Sequence, residues 1–550
     1  MRIIKIVFLS MSYICFLQAD DSAKMLNLLE KRQQQIYIEK EFDELARKQQ
    51  EEDEIILENP NFEDKFYTFE HIQFKKEDEL TKKAEVILQK YLNKALNIND
   101  IYNMIKELTN FIVSKGYSTS GISIDKIDES NHTLLLDLKY GFVGEIYLNG
   151  DNNATKLELG VPLKKGDKFN IYDLDTGIEN LSNAAENVKI SIKASQDYDY
   201  SDIFIESEPN PIDILIDFDN SGSKDQGEYK TSTQVVLKNP FNVNDSMQFG
   251  FIQSLLKDMG KEHKNVYLLN YLLPLQTYEF IYSLQYSDNK NLIEGYGNSY
   301  IVNKDTSLRH KITLRKILHR TNTDKFSIYA NLSIKDDVNE IDDFVLKSSS
   351  GRYSSIASGI EYSTLAFDGF LFLNLEYEKG VPFLGSKRDS INSLYKVEFN
   401  KVNFNSSYKK NFYFNDDLAF LYQGNIGGSY SNEPLLYANK FLIGDEYTVR
   451  GFKESSAALD YGVYGNHTIY LQFLHFPKYL RALQPFIGLD LGYGRDYLLP
   501  NKDFLAGIAF GFRYNLDYLS LNFTASKALH KSSNMPSERM PIYFRASMFF

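Results

Sequence analysis

Gly507-Ile508-Ala509-Phe510-Gly511-Phe512-Arg513-Tyr514 and, after a short break, Leu519-Ser520-Leu521-Asn522-Phe523-Thr524-Ala525-Ser526 decide the fold. In both, large apolar side chains alternate with small or polar ones. Successive side chains of a β-strand point to opposite faces, so each stretch builds a strand with one apolar and one polar face. The alternation recurs upstream. Phe326, Ile328, Ala330, Leu332 and Ile334 interleave with Ser327, Tyr329, Asn331 and Ser333, and Leu371, Leu373, Leu375 and Tyr377 with Asn374, Glu376 and Glu378. Ile469, Leu471 and Phe473 interleave with Thr468, Tyr470 and Gln472, and the last strand runs Ile542, Phe544, Ala546, Met548, Phe550. From Pro211 onward no segment reads as a long helix. About sixteen strands over roughly 340 residues, or about 21 residues per strand and turn, is the spacing of a transmembrane barrel with apolar side chains toward lipid. Closure removes the strand edges that lipid cannot satisfy. A soluble sandwich or solenoid is the competing architecture.

The N-terminus favours the membrane. Met1–Ala19 reads MRIIKIVFLSMSYICFLQA, with Arg2 and Lys5 ahead of an apolar run, Ile6–Leu17, and Ala19 before Asp20-Asp21. A run this short does not span a bilayer of roughly 30 Å. Residues 1–19 are the pattern of a secretory signal peptide. Cys15 raises a lipoprotein alternative, which Tyr13 and Ile14 oppose because a lipobox needs small residues there. No later run of about 18 apolar residues offers a transmembrane helix.

Composition narrows the function. The 550 residues include 39 Tyr and 39 Phe but no Trp, and the Tyr content suits interfacial girdles. A formal net charge of −13 argues against nucleic acid as a partner, since that affinity rests on Lys and Arg neutralising phosphates. The single cysteine, Cys15, excludes a disulfide scaffold and Cys-ligated metal sites. His71, His132, His263, His310, His319, His467, His475 and His530 are scattered without metal-ligand spacing. No G-x-x-x-x-G-K-[ST] or convincing G-x-S-x-G occurs. No metal, cofactor or enzymatic activity is expected.

Residues 20–58 carry twelve acidic and six basic side chains, with Leu26, Leu29, Ile36, Phe42 and Leu45 as a loose apolar stripe. Propensity predicts one solvated helix of about 30 residues. Asn59-Pro60-Asn61 breaks it, so 59–65 is a linker. Residues 66–141 follow a β-α-α-β-β rhythm. Phe69, Ile72 and Phe74 mark a strand, Leu80–Ala95 and Ile101–Ser114 are helical with Asn99 or Asp100 as N-cap, and Thr133–Tyr140 alternates again. Residues 142–210 form a second small α+β unit, with a helix near Ile171–Leu181 and strands at Lys189–Ala194 and Asp202–Glu206. Neither unit displays chemistry; both suit a binding module.

One segment of the barrel, 431–466, is a long loop between strands. It contains Phe441-Leu-Ile-Gly444-Asp-Glu-Tyr-Thr448-Val449-Arg450-Gly451-Phe452. An Arg-Gly-aromatic tip is unusual on a loop. Two strands later, Pro485-Phe486-Ile-Gly488-Leu-Asp490-Leu-Gly492 places Asp490 between Leu489 and Leu491. Asp490 then faces the lumen with Gly488 and Gly492, and Arg450 is its natural bidentate partner.

This motif pair resembles the polypeptide-transporting barrel superfamily that includes the BamA-type insertases. Its sixth loop folds inward with V-R-G-[FY], and a strand carries [FG]-x-D-x-G. The closer resemblance is to the two-partner secretion transporters (TpsB), which export filamentous haemagglutinins and Serratia-type haemolysins. Asp219-Asn220-Ser221-Gly222 is similar to that group's D-N-x-G after the first barrel strand, and Gly116-Tyr117-Ser-Thr119 to its G-Y-x-T. Thr133-Leu-Leu-Leu leading to Val143-Gly-Glu-Ile146-Tyr-Leu-Asn149-Gly150 matches the junction of its two POTRA domains. Gly444-Asp445 departs from the Gly-Gly often found there.

The resemblance implies a membrane all-β protein: a 16-stranded β-barrel (211–550) behind two POTRA domains (66–141, 142–210) and an N-terminal helix. It implies an outer-membrane location in a Gram-negative bacterium, with the POTRA domains in the periplasm. It also implies export of an unfolded partner exoprotein (an adhesin, haemolysin or contact-dependent toxin) without ATP. The helix of 20–58 plugs the lumen or serves as a periplasmic spacer. Val449, Arg450, Gly451 and Phe452, with Gly488, Asp490 and Gly492, stabilise and gate the conduit or only brace the loop. Phe544, Met548 and Phe550 resemble the signal read by the barrel-assembly machinery. The further partners implied are that machinery and outer-membrane lipids. The alternative is an outer-membrane assembly factor, whose BamA-like members usually carry five POTRA domains where two are visible here.

Overall fold

The computed structural model describes residues 20–49, 65–152, 154–223, 227–256, 259, 261–294, 299–347, 349–390, 393–533 and 535–550. The signal-peptide segment 1–19, residues 50–58 and all but Lys65 of the linker lie outside them.

Sixteen strands close an antiparallel barrel: β1 (Ile212–Asp219), β2 (Tyr229–Lys238), β3 (Ser246–Leu255), β4 (His263–Leu275), β5 (Tyr278–Glu294), β6 (Tyr300–Arg320), β7 (Asp324–Ile341), β8 (Gly351–Ala366), β9 (Gly369–Gly380), β10 (Asn400–Tyr413), β11 (Leu418–Ser431), β12 (Tyr461–Phe473), β13 (Leu483–Arg495), β14 (Lys502–Asn515), β15 (Leu519–His530) and β16 (Ile542–Phe549). A two-residue return, Phe344–Val345, pairs only with the end of β7. β16 pairs with β1 from Arg545↔Asp219 to Phe549↔Leu215, and this seam shuts the cylinder. Strand alternation is visible as alternating exposure. Along β13, Ile487, Leu489, Leu491 and Tyr493 are exposed on the outer wall, while Phe486, Gly488, Asp490, Gly492 and Gly494 are buried inside.

Two small α+β units stand at one rim. In the first, strands His71–Phe74, Thr133–Lys139 and Gly121–Asp128 form a sheet in that spatial order, under helices Glu79–Leu88 and Ile98–Val113. Ile101, Met104, Leu108 and Ile112 recur at helical spacing and are buried against Phe69, Phe74, Leu134 and Leu136. The second of these helices is capped by Asn97, whose side chain accepts from Asp100 N, and Asp100 returns the favour to Asn97 N. Asp100 is therefore the third residue of a capping box, not the cap that the sequence suggested. The first helix stops at Leu88, short of Ala95, because the chain turns through Asn93 (φ 58°) to pair Ala95–Leu96 with Tyr67–Thr68. The second unit pairs Phe142–Leu148, Tyr200–Glu208 and Glu186–Ala194, with helices Ala154–Gly160 and Ile171–Ser182 packed on Phe169, Ile203 and Ile205.

The second unit is fastened to the barrel rim. Gln276, in the β4–β5 turn, donates its backbone N–H to Leu159 O (2.6 Å) and its amide to Glu158 O (2.9 Å). Asn180 Nδ2 donates to Gly160 O and Gln276 O, and Asn244 Nδ2 to Lys156 O.

Helix α1 (Asp20–Gln49) lies inside the barrel. Thirty residues at 1.5 Å each make about 45 Å, longer than the roughly 30 Å hydrocarbon layer. Its Met25, Leu26 and Leu29 pack on Ile252, Val266 and Leu268 of β3 and β4. Tyr37, Ile38, Phe42 and Leu45 pack on Leu365, Phe370 and Phe372 at the rim held by the second unit. The wall meets the helix on several sides, which is why no single stripe dominates its sequence, while Ile36, Glu39, Lys40 and Asp43 share one exposed face.

Candidate lumenal site: the loop tip and the helix

The loop between β11 and β12 spans 432–460, because β12 begins at Tyr461, earlier than alternation in the sequence suggested. It turns into the lumen as a small hairpin, Phe441–Ile443 against Ala457–Leu459. Ile443, Val449, Phe452, Ala457 and Leu459 make a compact apolar cluster with Leu505 and Met535 of the wall and the β15–β16 loop. Such a cluster lets an irregular segment hold one shape, since each buried large side chain contributes about 1.5–3 kcal/mol.

Arg450 and Asp490 meet as a two-pronged pair. Arg450 Nε donates to Asp490 Oδ2 and Nη2 to Oδ1, both at 2.7 Å. The Arg450 backbone N–H adds a third bond to Oδ2 (2.9 Å), and Nη2 also reaches His467 O (3.3 Å). Asp490 is fully buried, so its charge is met entirely by Arg450. The guanidinium stands over the Phe486 ring, 5.9 Å from its centroid. Gly488 forms the floor: a Cβ there would overlap the Arg450 guanidinium. Gly492 backs onto Val449 and Ile443. Gly451, at φ +112°, turns the chain against the backbone of Lys527 and Ala528. Phe452 O accepts from Tyr543 Oη at 2.7 Å. The seven motif residues thus converge at one place.

The sequence missed two contributors. Gly507 on β14 lies directly under the Arg450 carbonyl, where a Cβ would collide with it. Asp445, at the Gly444-Asp445 departure, accepts from Tyr447 N and Thr448 N (2.9 Å each) and so shapes the turn before the tip. Its other oxygen takes Lys31 Nζ of α1 at 2.8 Å. The departure was itself the available signal.

Polar contacts join α1 to its surroundings. Lys31 Nζ also donates to Leu442 O (2.8 Å), and Arg32 Nη2 to Asp217 of β1 (2.8 Å). Asp217 is also held by Ser232 (2.9 Å) and by Ser547 across the seam (2.5 Å). Near the rim, Lys325 Nζ of β7 bridges Glu41 Oε1 of α1 (2.7 Å) and Glu179 Oε1 of the second unit (2.8 Å). Arg320 pairs with the same Glu179, Ser363 Oγ donates to Glu41 Oε2 (3.0 Å), and Lys40 Nζ reaches Asn183 Oδ1 (3.0 Å).

Phe544 and Met548 lie on the lipid face of β16, with Met548 exposed. Phe550 sits just past the strand, exposed, and its backbone exchanges hydrogen bonds with Ile214.

A closed sixteen-stranded barrel with a helix and an inward loop in its lumen, and α+β units on one rim, defines a polypeptide-transport barrel of the outer membrane. The chain belongs to the haemolysin secretion/activation protein ShlB/FhaC/HecB family, whose model matches residues 199–514; a ShlB-type POTRA domain matches 67–141. It is 25% identical over 416 residues to the outer membrane transporter CdiB of Dickeya dadantii, covering 75% of this chain and 73% of that one. The hemolysin transporter protein ShlB of Serratia marcescens is 24% identical over 410 residues, covering 74% of this chain and 71% of that one. The solved CdiB from Escherichia coli superposes with a TM-score of 0.85 at 21% identity, over 96% of this chain and 99% of that one. The family places the barrel in the outer membrane and the POTRA units in the periplasm. The rim joined to the second unit is accordingly the periplasmic one.

Proposed function

We propose that this protein exports one unfolded partner exoprotein through its own lumen, with α1 as the resting plug and the Arg450 loop as the fixed inner wall of the conduit. The observation that carries it is the mixed filling of the lumen: one loop locked at a single seat by a buried ion pair and its own apolar cluster, beside one helix held at separate points along its length. Glu186–Ala194 is the outer strand of the second POTRA sheet, and among the described residues nothing pairs with its free side. An extended exoprotein segment adds a strand there by main-chain hydrogen bonding. The helix then withdraws toward the periplasm, the chain threads past the loop tip, and folding outside supplies direction without ATP. Phe544, Met548 and Phe550 serve insertion of the barrel by the assembly machinery.

The test is a quantitative proteome of culture medium and outer membrane from wild-type, deletion and Arg450→Ala strains. Loss of one large exoprotein from the medium, with other barrels unchanged, is the expected outcome and names the partner. Depletion of many outer-membrane barrels would point to an assembly factor and overturn export.

A further inference from the structure

Resting on that reading of export, we propose that Phe370 and Phe372 form an apolar shelf at the periplasmic mouth that binds an apolar side chain of the entering exoprotein, flanked by carboxylates, in place of helix α1. Alternation is suspended at the start of β9. Phe370, Leu371, Phe372 and Leu373 make it apolar on both faces, whereas Asn374, Glu376 and Glu378 keep the rest of its inner face polar. Lipid accounts for Leu371 and Leu373. It does not account for Phe370 and Phe372, which face the lumen and are each 1% exposed.

The helix shows what the shelf accepts. Phe42 stands edge-on to Phe370 at 5.4 Å between centroids, and Tyr37 edge-on to Phe372 at 6.1 Å. Lys409 of β10, paired in register with Phe370, sets its ammonium 4.8 Å from the Phe42 ring and 3.8 Å from Glu39. Ser363, paired with both Lys325 and Phe372, brings Lys325 onto Glu41. The seated sequence, Glu39-Lys-Glu41-Phe42-Asp-Glu-Leu45, is therefore an apolar side chain between acids, set on two rings between two lysines. Withdrawal of α1 bares both rings to water, at the point where a chain handed over by the second POTRA unit must enter. An exoprotein segment of the same chemistry covers them again, so entry and unplugging are one exchange.

The test replaces both rings and reads two quantities: pore conductance of the purified protein in planar bilayers, and the amount in the medium of the exoprotein that the deletion strain loses. Phe370→Ser with Phe372→Ser is expected to raise conductance, because α1 loses its seat, yet to lower secretion at least tenfold. Phe370→Leu with Phe372→Leu is expected to restore secretion to within about threefold. Raised conductance with undiminished secretion would make the shelf a seat for the plug alone and overturn the proposal. Should the serine pair not assemble, a thiol at Ser407, which pairs with Phe372, decides. In a Cys15→Ser background, Ser407→Cys should cross-link a stalled exoprotein through cysteines beside its acid-flanked apolar residues, and Ser307→Cys should not. Equal cross-linking at both thiols overturns the shelf and leaves export standing. No exoprotein lost by the deletion strain overturns export itself.

Discussion

Two segments occupy one lumen, and their contacts are arranged differently. The loop carries its own apolar core, shared with Leu505 and Met535, and a buried Arg450–Asp490 pair in which every prong is satisfied. Helix α1 lacks a core of its own. It has two small apolar contacts at opposite ends, the pairs Lys31–Asp445 and Arg32–Asp217 between them, and Glu41–Lys325 within the second. Removing one partner of a buried pair is expensive because the other charge is stranded, and the helix's pairs are buried as well: the side chains of Glu41 and Lys325 are 4% and 6% exposed, against 7% and 0% for Arg450 and Asp490. The difference lies in arrangement: the loop's apolar core and its ion pair are concentrated at one seat, whereas the helix's contacts are spread along its length against separate elements.

The sharpest challenge to this contrast is Arg450→Ala. It strands Asp490 at a cost of about 3–5 kcal/mol, and the loop should leave its seat, abolishing secretion while the barrel still migrates as a folded species on unheated gels. Arg450→Lys should fail almost as badly, since an ammonium cannot reproduce the fork. Normal secretion by the lysine variant would show that charge alone suffices. Lys325→Gln comes next. It uncouples Glu41 of the helix from Glu179 of the POTRA unit, and open-channel time in bilayers should rise about tenfold, or about 1.4 kcal/mol, with the loop's protease protection unchanged. Lys31→Ala with Arg32→Ala should raise it only a few-fold.

The smallest effect lies outside the lumen. Asp78 caps the helix Glu79–Leu88. Burial pushes its carboxyl up, but the Tyr140 hydroxyl, the N–H groups of Thr81 and Leu80, and Lys168 together hold it below the usual carboxylate range. A lowered folded-state value means stability that is present above about pH 3.9, the unfolded value, and is lost as pH falls through the folded one. Asp78→Asn should cost about 1 kcal/mol or less at neutral pH, since asparagine also caps. It should also remove part of the acid sensitivity of thermal unfolding in the first POTRA unit.

The barrel was legible because lipid and lumen enforce a two-residue period. The same period put Asp490 inside, between Leu489 and Leu491, where only a cation from elsewhere in the chain could meet it. Arg450 was legible as that cation because a loop has no other reason to carry Arg-Gly-Phe. Gly507 was not, because what constrains it is the backbone of a remote segment, and Asp445 showed only as a departure, without the lysine of a remote segment that it meets. The Glu41–Lys325–Glu179 bridge joins three elements far apart in sequence, each of whose charged residues looks like ordinary solvated surface. The seat of α1 was hidden because its apolar contacts with the wall alternate with buried charges such as Glu41, which in the sequence look like ordinary solvated residues.

The direction of α1 has a further consequence. Its Met25 end lies deep in the barrel, and its Leu45 end lies at the periplasmic mouth, joined through residues 50–64 to the first POTRA unit. A withdrawn helix is therefore never lost to dilution. Tethered reclosure is intramolecular, at an effective concentration on the order of millimolar for a short connection, whatever the abundance of the protein. On the export proposed above, the same covalent link makes the leak self-limiting, so a cell can keep many such barrels in its outer membrane and expose its periplasm only for the time a passenger occupies each one.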